Sequence, residues 1–315
     1  MAALVALAVA LPLAALAAMS ARARRVRAVL GLPAPRRLAA APAVVATCAL
    51  AALLAVAAAQ PVVAAPQPTF VRSDVEALFV VDTSRSMLAR PRAGAPARID
   101  RARVLARRLR REIPDVRVGL ASLTDRLLPH AFPTADPDVF RAALERSVGV
   151  GRPPPQELRR HATIFTPLES VVTGNLFRAG IARRALVVLT DGEARELGTV
   201  GELRAALRPA RPLAILFVRV RAPDERVFRR DGRPEAAYRA DPTTGRALAE
   251  FTATLGAELF AEREADAAAA ALRRAVGTGP RQAAGEREQP RSLASHAAAA
   301  ALLPLLFLLW TRNRA

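Results

Sequence analysis

The sequence lacks lysine altogether and has a single cysteine, Cys48, among its 315 residues. A lone cysteine has no partner within the chain, so an internal disulfide framework and a cysteine-rich zinc site are both excluded. All 47 basic residues are arginine, in a chain also rich in alanine and proline, a bias typical of GC-rich coding sequences. The formal net charge of +19 is therefore poor support for nucleic-acid binding. No RNA- or DNA-binding motif accompanies it, and we expect no nucleic-acid partner.

Acidic residues are missing from both ends of the chain. All 28 lie between Asp74 and Glu288, whereas residues 1–65 contain six arginines and residues 292–315 contain two. The remaining 39 arginines share the middle of the chain with the acids, and this stretch is long enough to bury its own core. The charge distribution predicts a soluble middle domain, residues 70–277, between apolar ends.

Three runs without charge are long enough to cross a membrane as helices. At about 1.5 Å per residue, a helix of about 19 residues reaches about 28 Å, close to the thickness of the hydrocarbon core. The last run ends at Trp310 and is followed by arginines, an arrangement typical of a stop-transfer helix. We predict transmembrane helices at residues 1–19, 38–65 and 292–310.

Short arginine-rich loops favour the cytoplasmic side of a membrane. Residues 20–37 carry six arginines and the tail, residues 311–315, carries two, so we place both in the cytoplasm. The middle domain and a linker at residues 278–291 are then extracytoplasmic, in a multi-pass protein of the cell membrane. A cleaved signal peptide is the alternative, because Ala57-Ala58-Ala59 before Gln60 resembles a cleavage site, and it would export the domain as well.

Apolar runs and amphipathic segments alternate through the middle domain. Val75 to Asp82 has the pattern of a buried strand, and residues 98–113 place apolar side chains at helical spacing between arginines. Such alternation predicts the α/β class, a doubly wound, mostly parallel sheet whose ligands bind beyond the carboxyl ends of the strands. The further predicted strands are residues 116–123, 185–190, 213–220 and 258–261, and the further helices are residues 137–148, 167–177, 200–208, 244–256 and 265–276, with a proline-rich loop at 149–162.

Two of the predicted strands end in oxygen-rich turns. The strand from Val75 ends in Asp82-Thr83-Ser84-Arg85-Ser86, a DxSxS pattern, and the strand at 185–190 ends in Thr190-Asp191-Gly192. Ser84 and Ser86, two apart on one turn, can face the same ion, while Asp82 and Asp191 supply negative charge. Hydroxyl and carboxylate oxygens are the ligands that hard divalent cations prefer. We therefore predict a site for Mg²⁺, with Mn²⁺ or Ca²⁺ as alternatives.

These motifs resemble the von Willebrand factor type A (VWA) family, and the resemblance covers about residues 75–277. It implies a Rossmann-like fold in which two serines and a threonine bind the metal directly and two aspartates bind it mostly through water. An acidic side chain of a protein partner completes the coordination in that family. The residues that carry the resemblance here are Asp82, Ser84, Ser86 and Asp191.

The chain departs from the family pattern at two positions. Family members usually have a Gly-Thr pair before the helix, where this chain has His161-Ala162-Thr163-Ile164-Phe165-Thr166. We favour Thr166 as the third hydroxyl ligand because it directly precedes a predicted helix, and Thr163 is the alternative. Arg85 stands where glycine is common, and it either weakens metal binding or helps to hold the partner's acidic group.

The order of two N-terminal spans, a VWA domain and a C-terminal span is similar to that of Bat-type aerotolerance proteins. This resemblance implies membrane complexes, with other VWA subunits or a MoxR-type ATPase system as partners. We expect a membrane-anchored protein whose metal ion captures an aspartate or glutamate of a partner protein at the bacterial envelope. The alternative is a structural membrane subunit in which the metal only stabilises the fold.

Catalytic motifs are missing from the sequence. His130 and His161 could pair with a serine, but no Gly-x-Ser-x-Gly elbow, His-Glu-x-x-His motif or phosphate loop occurs, and we expect no enzyme. Residues 222–243 contain an Asp231-Gly232 turn and follow a predicted strand. We expect this segment to rise on the metal face and, with Pro153-Pro154-Pro155, to frame a binding surface.

Overall fold

The computed structural model of the chain describes residues 2–31, 41–152, 163–196, 199–229 and 231–314. Its contacts divide the chain into two compact units, which correspond to the apolar ends and the charged middle. One unit contains Met1–Pro68 and Glu286–Ala315, and the other contains Thr69–Gly285.

Helices and strands largely alternate through the middle of the chain, as the sequence predicts. The helices are α1 (Ala2–Val29), α2 (Ala41–Ala59), α3 (Arg98–Arg111), α4 (Pro137–Arg146), α5 (Ser170–Thr173), α6 (Val200–Ala206), α7 (Thr244–Leu255), α8 (Ala265–Val276) and α9 (Ala294–Arg314). The strands are β1 (Val62–Arg72), β2 (Val75–Asp82), β3 (Arg117–Leu123), β4 (Leu127–Thr134), β5 (Thr163–Ile164), β6 (Arg183–Thr190), β7 (Ala194–Glu196), β8 (Leu213–Arg219), β9 (Glu258–Ala261) and β10 (Arg281–Ser292). Short 3-10 helices occupy Arg85–Leu88, Thr166–Glu169, Arg208–Ala210 and Glu262–Glu264.

In the unit formed by the ends of the chain, α2 packs along α9. Within the described residues, two helical segments are long and apolar enough to cross a membrane, Pro42–Ala59 with a mean hydropathy of 2.2 and Ala294–Asn313 with 1.6. This criterion concerns length and composition alone. The first of the three predicted spans is helical as part of α1, and its crossing of a membrane stays a prediction.

The secondary structure differs from the predicted segments at three places, while the membrane spans themselves stay predictions. Helix α1 continues to Val29, so the segment 20–37, predicted as a loop, begins as helix, because its alanines and arginines are strong helix formers. Helix α2 ends at Ala59 rather than at residue 65, since Gln60 adopts a left-handed conformation with φ 47° and Pro61 follows. The predicted linker at 278–291 is largely strand β10, which pairs with β1.

The middle unit is built on a six-stranded sheet in the order β4-β3-β2-β6-β8-β9. All neighbouring strands are parallel except β3 and β4, which are antiparallel. This confirms the predicted α/β fold with a mostly parallel sheet. Strand β4 was not expected, because Pro129 and Pro133 argue against a strand, but prolines are tolerated on an edge strand such as this one.

Apolar side chains cover both faces of the sheet. Along β2, Phe79 and Val81 face a layer formed by α3, α4 and α8, whereas Leu78 and Val80 face a layer that includes α7. This alternation is the period of two that a strand buried on both faces requires. Three buried aromatic rings interlock in the second layer, with centroids 5.1 to 6.1 Å apart, and they belong to Phe165, Phe217 and Phe251.

The helix expected at 167–177 is much shorter than its pattern suggested. A 3-10 turn at Thr166–Glu169 leads into a single helical turn, α5, which ends at Gly174. The β-branched run before this glycine has low helix propensity, and Asn175 is left-handed with φ 48°. The chain therefore turns away after one turn of helix.

The register of the sheet brings the two predicted motifs to one edge. Asp82, the last residue of β2, aligns with Leu123 of β3, and Val81 aligns with Leu189 of β6. Because β2 and β6 are parallel neighbours, the turns that follow Val81 and Leu189 emerge side by side. The candidate site lies at this carboxyl edge, where ligands of doubly wound sheets bind.

Candidate metal centre

The DxSxS turn folds back on itself at the end of β2. The backbone N–H of Ser84 donates to Oδ1 of Asp82 at 2.8 Å, which forms an Asx turn. The 3-10 helix Arg85–Leu88 follows and brings Oγ of Ser86 to 2.9 Å from Oγ of Ser84. Ser84 and Ser86 are 1% and 8% exposed, so two hydroxyls converge in a nearly closed space.

The carboxylate of Asp82 is fully buried and held from both sides. Oδ1 accepts a 2.6 Å hydrogen bond from Oγ1 of Thr163, and Oδ2 accepts one of 2.6 Å from Oγ1 of Thr190. Burial, together with the charge of Asp191, raises the pKa of Asp82 to about 6, and the hydrogen bonds from Thr163, Thr190 and Ser84 offset part of that rise. A positive charge close to the two carboxylates would stabilise both.

Thr163, rather than the favoured Thr166, is the threonine that the fold brings to the motif. Thr163 begins β5, which pairs with β7, the short strand that follows Asp191. The side chain of Thr163 is fully buried against Asp82. Thr166 starts the 3-10 helix before α5 and is exposed. The chain crosses the site at β5, before the 3-10 helix that Thr166 starts, so Thr163 is the threonine placed beside Asp82, and which of the two binds a metal stays a prediction.

The second motif aspartate, Asp191, is also fully buried. Its Oδ1 accepts a 2.8 Å hydrogen bond from the backbone N–H of Glu193, and its Oδ2 accepts one of 2.7 Å from Nη1 of Arg98. Arg98 has no exposed surface either. A completely buried guanidinium thus forms an ion pair with one of the two aspartates that the sequence assigned to the metal.

Arg98 is a member of the site that the sequence did not predict. Its Nε donates to Oε2 of Glu225 at 2.6 Å, and its Nη1 lies 3.0 Å from Oε1 of Glu193 and 3.1 Å from the hydroxyl of Tyr238. Burial alone would lower the pKa of Arg98, but Asp191 and Glu225 raise it overall, so the side chain stays charged. The sequence contains one hint of this role. Arg98 opens α3, where the helix dipole disfavours a cation, and nearby anions would offset that cost.

The segment after β8 lies on the same face, as the sequence suggested for residues 222–243. Glu225 and Tyr238 reach Arg98, and Glu235 pairs with Arg85 of the DxSxS turn, with Oε2 at 2.6 Å from Nη2. A cleft of about 690 Å³ is lined by this segment, including Arg226. The residues Pro153-Pro154-Pro155 and His161 fall outside the described part of the chain.

Two further residues that the sequence singled out, Arg85 and His130, each contact one polar side chain. The side chain of Arg85, predicted to touch the partner, is 50% exposed while it pairs with Glu235. Nε2 of His130, on β4, lies 2.8 Å from Oγ of Ser122, which is 1% exposed. A hydroxyl so deeply buried has no route to a substrate, which argues against a Ser-His nucleophile at this position.

The donor set fits a small hard cation. In octahedral Mg²⁺ sites, with oxygens about 2.0–2.1 Å from the ion, adjacent ligands lie about 2.9 Å apart, and the hydroxyls of Ser84 and Ser86 have this separation. Within the described residues, no group of three or more His, Cys, Asp or Glu side chains could hold a metal ion. The oxygens that the fold gathers here are the hydroxyls of Ser84, Ser86 and Thr163, with the carboxylates of Asp82 and Asp191 beside them.

Comparison with known proteins agrees with this geometry. Residues 77–193 match the family model of the von Willebrand factor type A domain, and no curated protein matched the sequence. Among solved structures, the chain is similar to an aerotolerance-related membrane protein from Bacteroides fragilis NCTC 9343, with a TM-score of 0.50 and 19% identity over 64% of this chain and 98% of that chain.

Two further structures are similar to parts of the chain. The conserved hypothetical protein BatB from Bacteroides thetaiotaomicron gives a TM-score of 0.47 and 22% identity over 64% of this chain and 98% of that chain. Proximal thread matrix protein 1 from the mussel byssus, with a zinc-occupied MIDAS motif, gives 0.44 and 12% identity over 71% of this chain and 50% of that chain. At these identities the likeness concerns the fold. Residues 77–193, which contain both motifs and three whole strands of the six-stranded sheet, thus match the von Willebrand factor type A domain model.

Proposed function

We propose that the VWA domain of this protein binds a Mg²⁺-type cation and, through it, an aspartate or glutamate of a protein partner. The observation that carries the proposal is the 2.9 Å approach of the Ser84 and Ser86 hydroxyls, beside two buried carboxylates at the ends of adjacent parallel strands. Such a group of inward-facing oxygens has no role in packing an apolar core. It is suited to an ion.

The balance between neutral and charged ligands supports binding of an acidic group. The three hydroxyl ligands, Ser84, Ser86 and Thr163, carry no charge, and both carboxylates already accept hydrogen bonds from protein groups. When bound, a divalent cation would supply a positive charge that the hydroxyl ligands do not cancel, and a coordination position for an incoming carboxylate. The protein itself supplies fixed hydroxyls and a site with little exposed surface, where such charge interactions are strengthened.

Arg85 provides a second contact for the same acidic group. Its half-exposed guanidinium lies on the DxSxS turn itself and already binds the carboxylate of Glu235. Arginine recognises carboxylates through two parallel N–H donors. A partner carboxylate that reaches the metal therefore competes with Glu235 for Arg85.

For the whole chain, we propose an anchor formed by the apolar helices and a VWA domain on the extracytoplasmic side of the cell membrane. Support comes from the two helical segments long and apolar enough to cross a membrane and from the six arginines of residues 20–37. Partner proteins of the Bat type, including other VWA subunits or a MoxR-type ATPase system, are part of this proposal. We propose a binding role rather than a catalytic one.

The test uses the full-length chain in detergent. The probe is an array of peptides that each carry one glutamate, paired with the same peptides carrying glutamine, in Mg²⁺ or in EDTA. Glutamate-dependent binding that disappears in EDTA and in Asp82→Ala, but persists in the exposed control Asp266→Ala on α8, supports the proposal. Binding that is unchanged by EDTA contradicts it. A Mg²⁺-dependent rise in melting temperature without peptide binding favours the structural-subunit alternative.

A further inference from the structure

The buried guanidinium of Arg98 joins the metal centre to the segment after β8. It lies between Asp191 at the end of β6 and Glu225, with bonds of 2.7 and 2.6 Å, and its Nη1 also approaches the backbone carbonyl of Ser86 at 3.4 Å. Burying a charged arginine is costly unless its partners are close and well oriented. Arg98 lies in a region where three carboxylates, those of Asp82, Asp191 and Glu225, are also withdrawn from solvent.

Two buried carboxylates near one another repel, and each favours a nearby cation. Arg98 supplies that cation permanently. Its Nη1 donates to Oδ2 of Asp191, while the backbone N–H of Glu193 donates to Oδ1. A second buried acid, Glu225, is shared between Arg98 and Arg101, whose Nη2 lies 2.6 Å from Oε1. The positive charge at Asp191 is therefore present whether or not a metal ion is bound.

We propose that Arg98 is the built-in counter-cation of the site, a positioning residue that neutralises Asp191 in the metal-free protein and sets the affinity for the divalent ion. The inference rests on the metal site in the proposed function. It has two consequences. The domain keeps its fold without metal, and the metal binds against the repulsion of a neighbouring guanidinium.

The same charge favours an acidic partner. Arg98 already neutralises part of the charge of Asp191, so a divalent ion bound beside it is balanced less completely by Asp82 and Asp191 than it would be without Arg98. In a site with so little exposed surface, the less fully balanced charge of the ion attracts an incoming carboxylate more strongly. Arg98 thus lowers the affinity of the site for the free ion and raises the affinity of the ion-loaded site for an acidic group.

The first experiment measures the melting temperature of the full-length chain in EDTA and in Mg²⁺. Arg98→Gln is compared with Arg110→Gln, a second buried arginine of α3 that donates to the carbonyl of Ile113 away from the motifs. We expect Arg98→Gln to melt lower in EDTA and to recover most of the loss in Mg²⁺, and Arg110→Gln to lose the same amount in both. An equal loss in both conditions for Arg98→Gln overturns the proposal, because a purely structural residue would behave in that way.

A second variant covers the case in which Arg98→Gln does not fold in either condition. Glu225→Gln removes an anion that shares Arg98, so more of the positive charge of Arg98 acts on the ion. We expect Mg²⁺ affinity, measured by calorimetry on the full chain, to fall about tenfold, since one neighbouring charge shifts a carboxylate's proton affinity by about one to three units. Glu262→Gln, whose carboxylate pairs with Arg101 instead, is the control and should bind Mg²⁺ normally. Unchanged affinity in Glu225→Gln overturns the proposal.

The two proposals fail in different ways. If the natural protein binds Mg²⁺ but no glutamate peptide, while Arg98→Gln regains its melting temperature in Mg²⁺, the proposed function falls and the role of Arg98 stands. If all variants bind Mg²⁺ equally while peptide capture depends on the metal, the role of Arg98 falls and the function stands. If Mg²⁺ stabilises Arg98→Gln alone, Arg98 replaces the metal in the natural protein, and if it affects none of the chains, both proposals are overturned.

Discussion

Thr190 donates a 2.6 Å hydrogen bond to Oδ2 of Asp82, although the two residues are 108 positions apart and lie at the ends of different strands. The bond links the two motifs directly, before any ion is considered. Because Asp82 is fully buried, its hydrogen bonds decide how well its charge is tolerated. Thr190, the first residue of the Thr-Asp-Gly motif, therefore supports the site by holding the carboxylate of Asp82.

Replacing Thr190 by valine should lower the free energy of unfolding. Valine keeps the shape of the side chain but leaves a buried carboxylate without one donor, which costs about 1–3 kcal/mol. Urea unfolding of the full-length chain measures the change. Thr254→Val, which removes an exposed hydroxyl bonded within α7, should change the free energy far less, and equal losses in both variants would contradict the role of Thr190.

The two candidate threonines can be separated by one comparison. Thr163→Val should weaken Mg²⁺ binding by about tenfold or more, because it removes both a hydroxyl ligand and a donor to Asp82. Thr166→Val should leave the affinity unchanged, since that side chain is exposed. Calorimetric titration with Mg²⁺ decides between them, and the reverse pattern would restore Thr166 as the ligand.

Removal of the metal should lower the melting temperature of the natural chain without unfolding it at room temperature. Mg²⁺ at about 100 times its dissociation constant adds about 2.7 kcal/mol to the free energy of unfolding. In Ser84→Ala and Ser86→Ala this stabilisation should shrink, because both hydroxyls belong to the donor set. Thermal melts with and without EDTA test this, with Ser147→Ala, next to α4, as the control.

Glu235→Gln should increase capture of the glutamate peptides in Mg²⁺. Its carboxylate occupies Arg85, and a neutral amide would compete less well with an incoming acid. Arg85→Ala should reduce capture. Because the Arg85 side chain is 50% exposed, we expect either change to alter the free energy of unfolding by about 1 kcal/mol or less. Reduced capture by Glu235→Gln would show that Glu235 helps to bind the partner.

Protonation linked to His130 on β4 should lower the free energy of unfolding of the domain in mild acid. Burial lowers the pKa of His130, so the unfolded chain takes up the proton first as the pH falls. Its contribution to stability is present above the unfolded value of about 6.5 and is lost as the pH falls through the lowered folded value. Asp82, with its raised pKa, has the opposite sign, since its contribution is lost as the pH rises through about 6.

The pH test is therefore a comparison of variants rather than a single titration. In EDTA, His130→Gln should lose less melting temperature between pH 7.5 and 5.5 than the natural chain, because glutamine preserves a polar partner for Ser122 without titrating. Identical losses in the two proteins would show that His130 makes no contribution in this range.

The sheet could be predicted because its strands are buried on both faces. Continuous apolar runs such as Leu78 to Val81 leave few alternatives, and the polar turns after them mark the strand ends. Edge strand β4 is hard to predict because it contains prolines. Proline disfavours strands in general and is tolerated only at positions such as a sheet edge, which the sequence does not reveal. The pattern around Val171 and Val172 suggested a full helix, but left-handed Asn175 ended it early.

Within the site, the motif residues were predictable and their partners were not. Asp82 and Asp191 stand at strand ends, so local pattern is enough to find them. The choice between Thr163 and Thr166 depends on where the chain crosses the site, which is set by pairing of β5 with β7. Arg98 and Glu225 are 127 positions apart and meet only through the tertiary fold. No local pattern contains that information.

The pairing of β1 with β10, and of α2 with α9, gives the middle domain an unusual unfolded state. Both ends of the domain's chain meet at these pairs, so if the pairs stay formed while the domain unfolds, the unfolded domain is a closed loop rather than a free coil. A link that closes a loop of this size reduces the entropy of the unfolded chain by the equivalent of about 5 kcal/mol. As long as these noncovalent pairs persist, loop closure favours the folded domain, so its stability depends in part on whether β1 stays paired with β10 and α2 with α9.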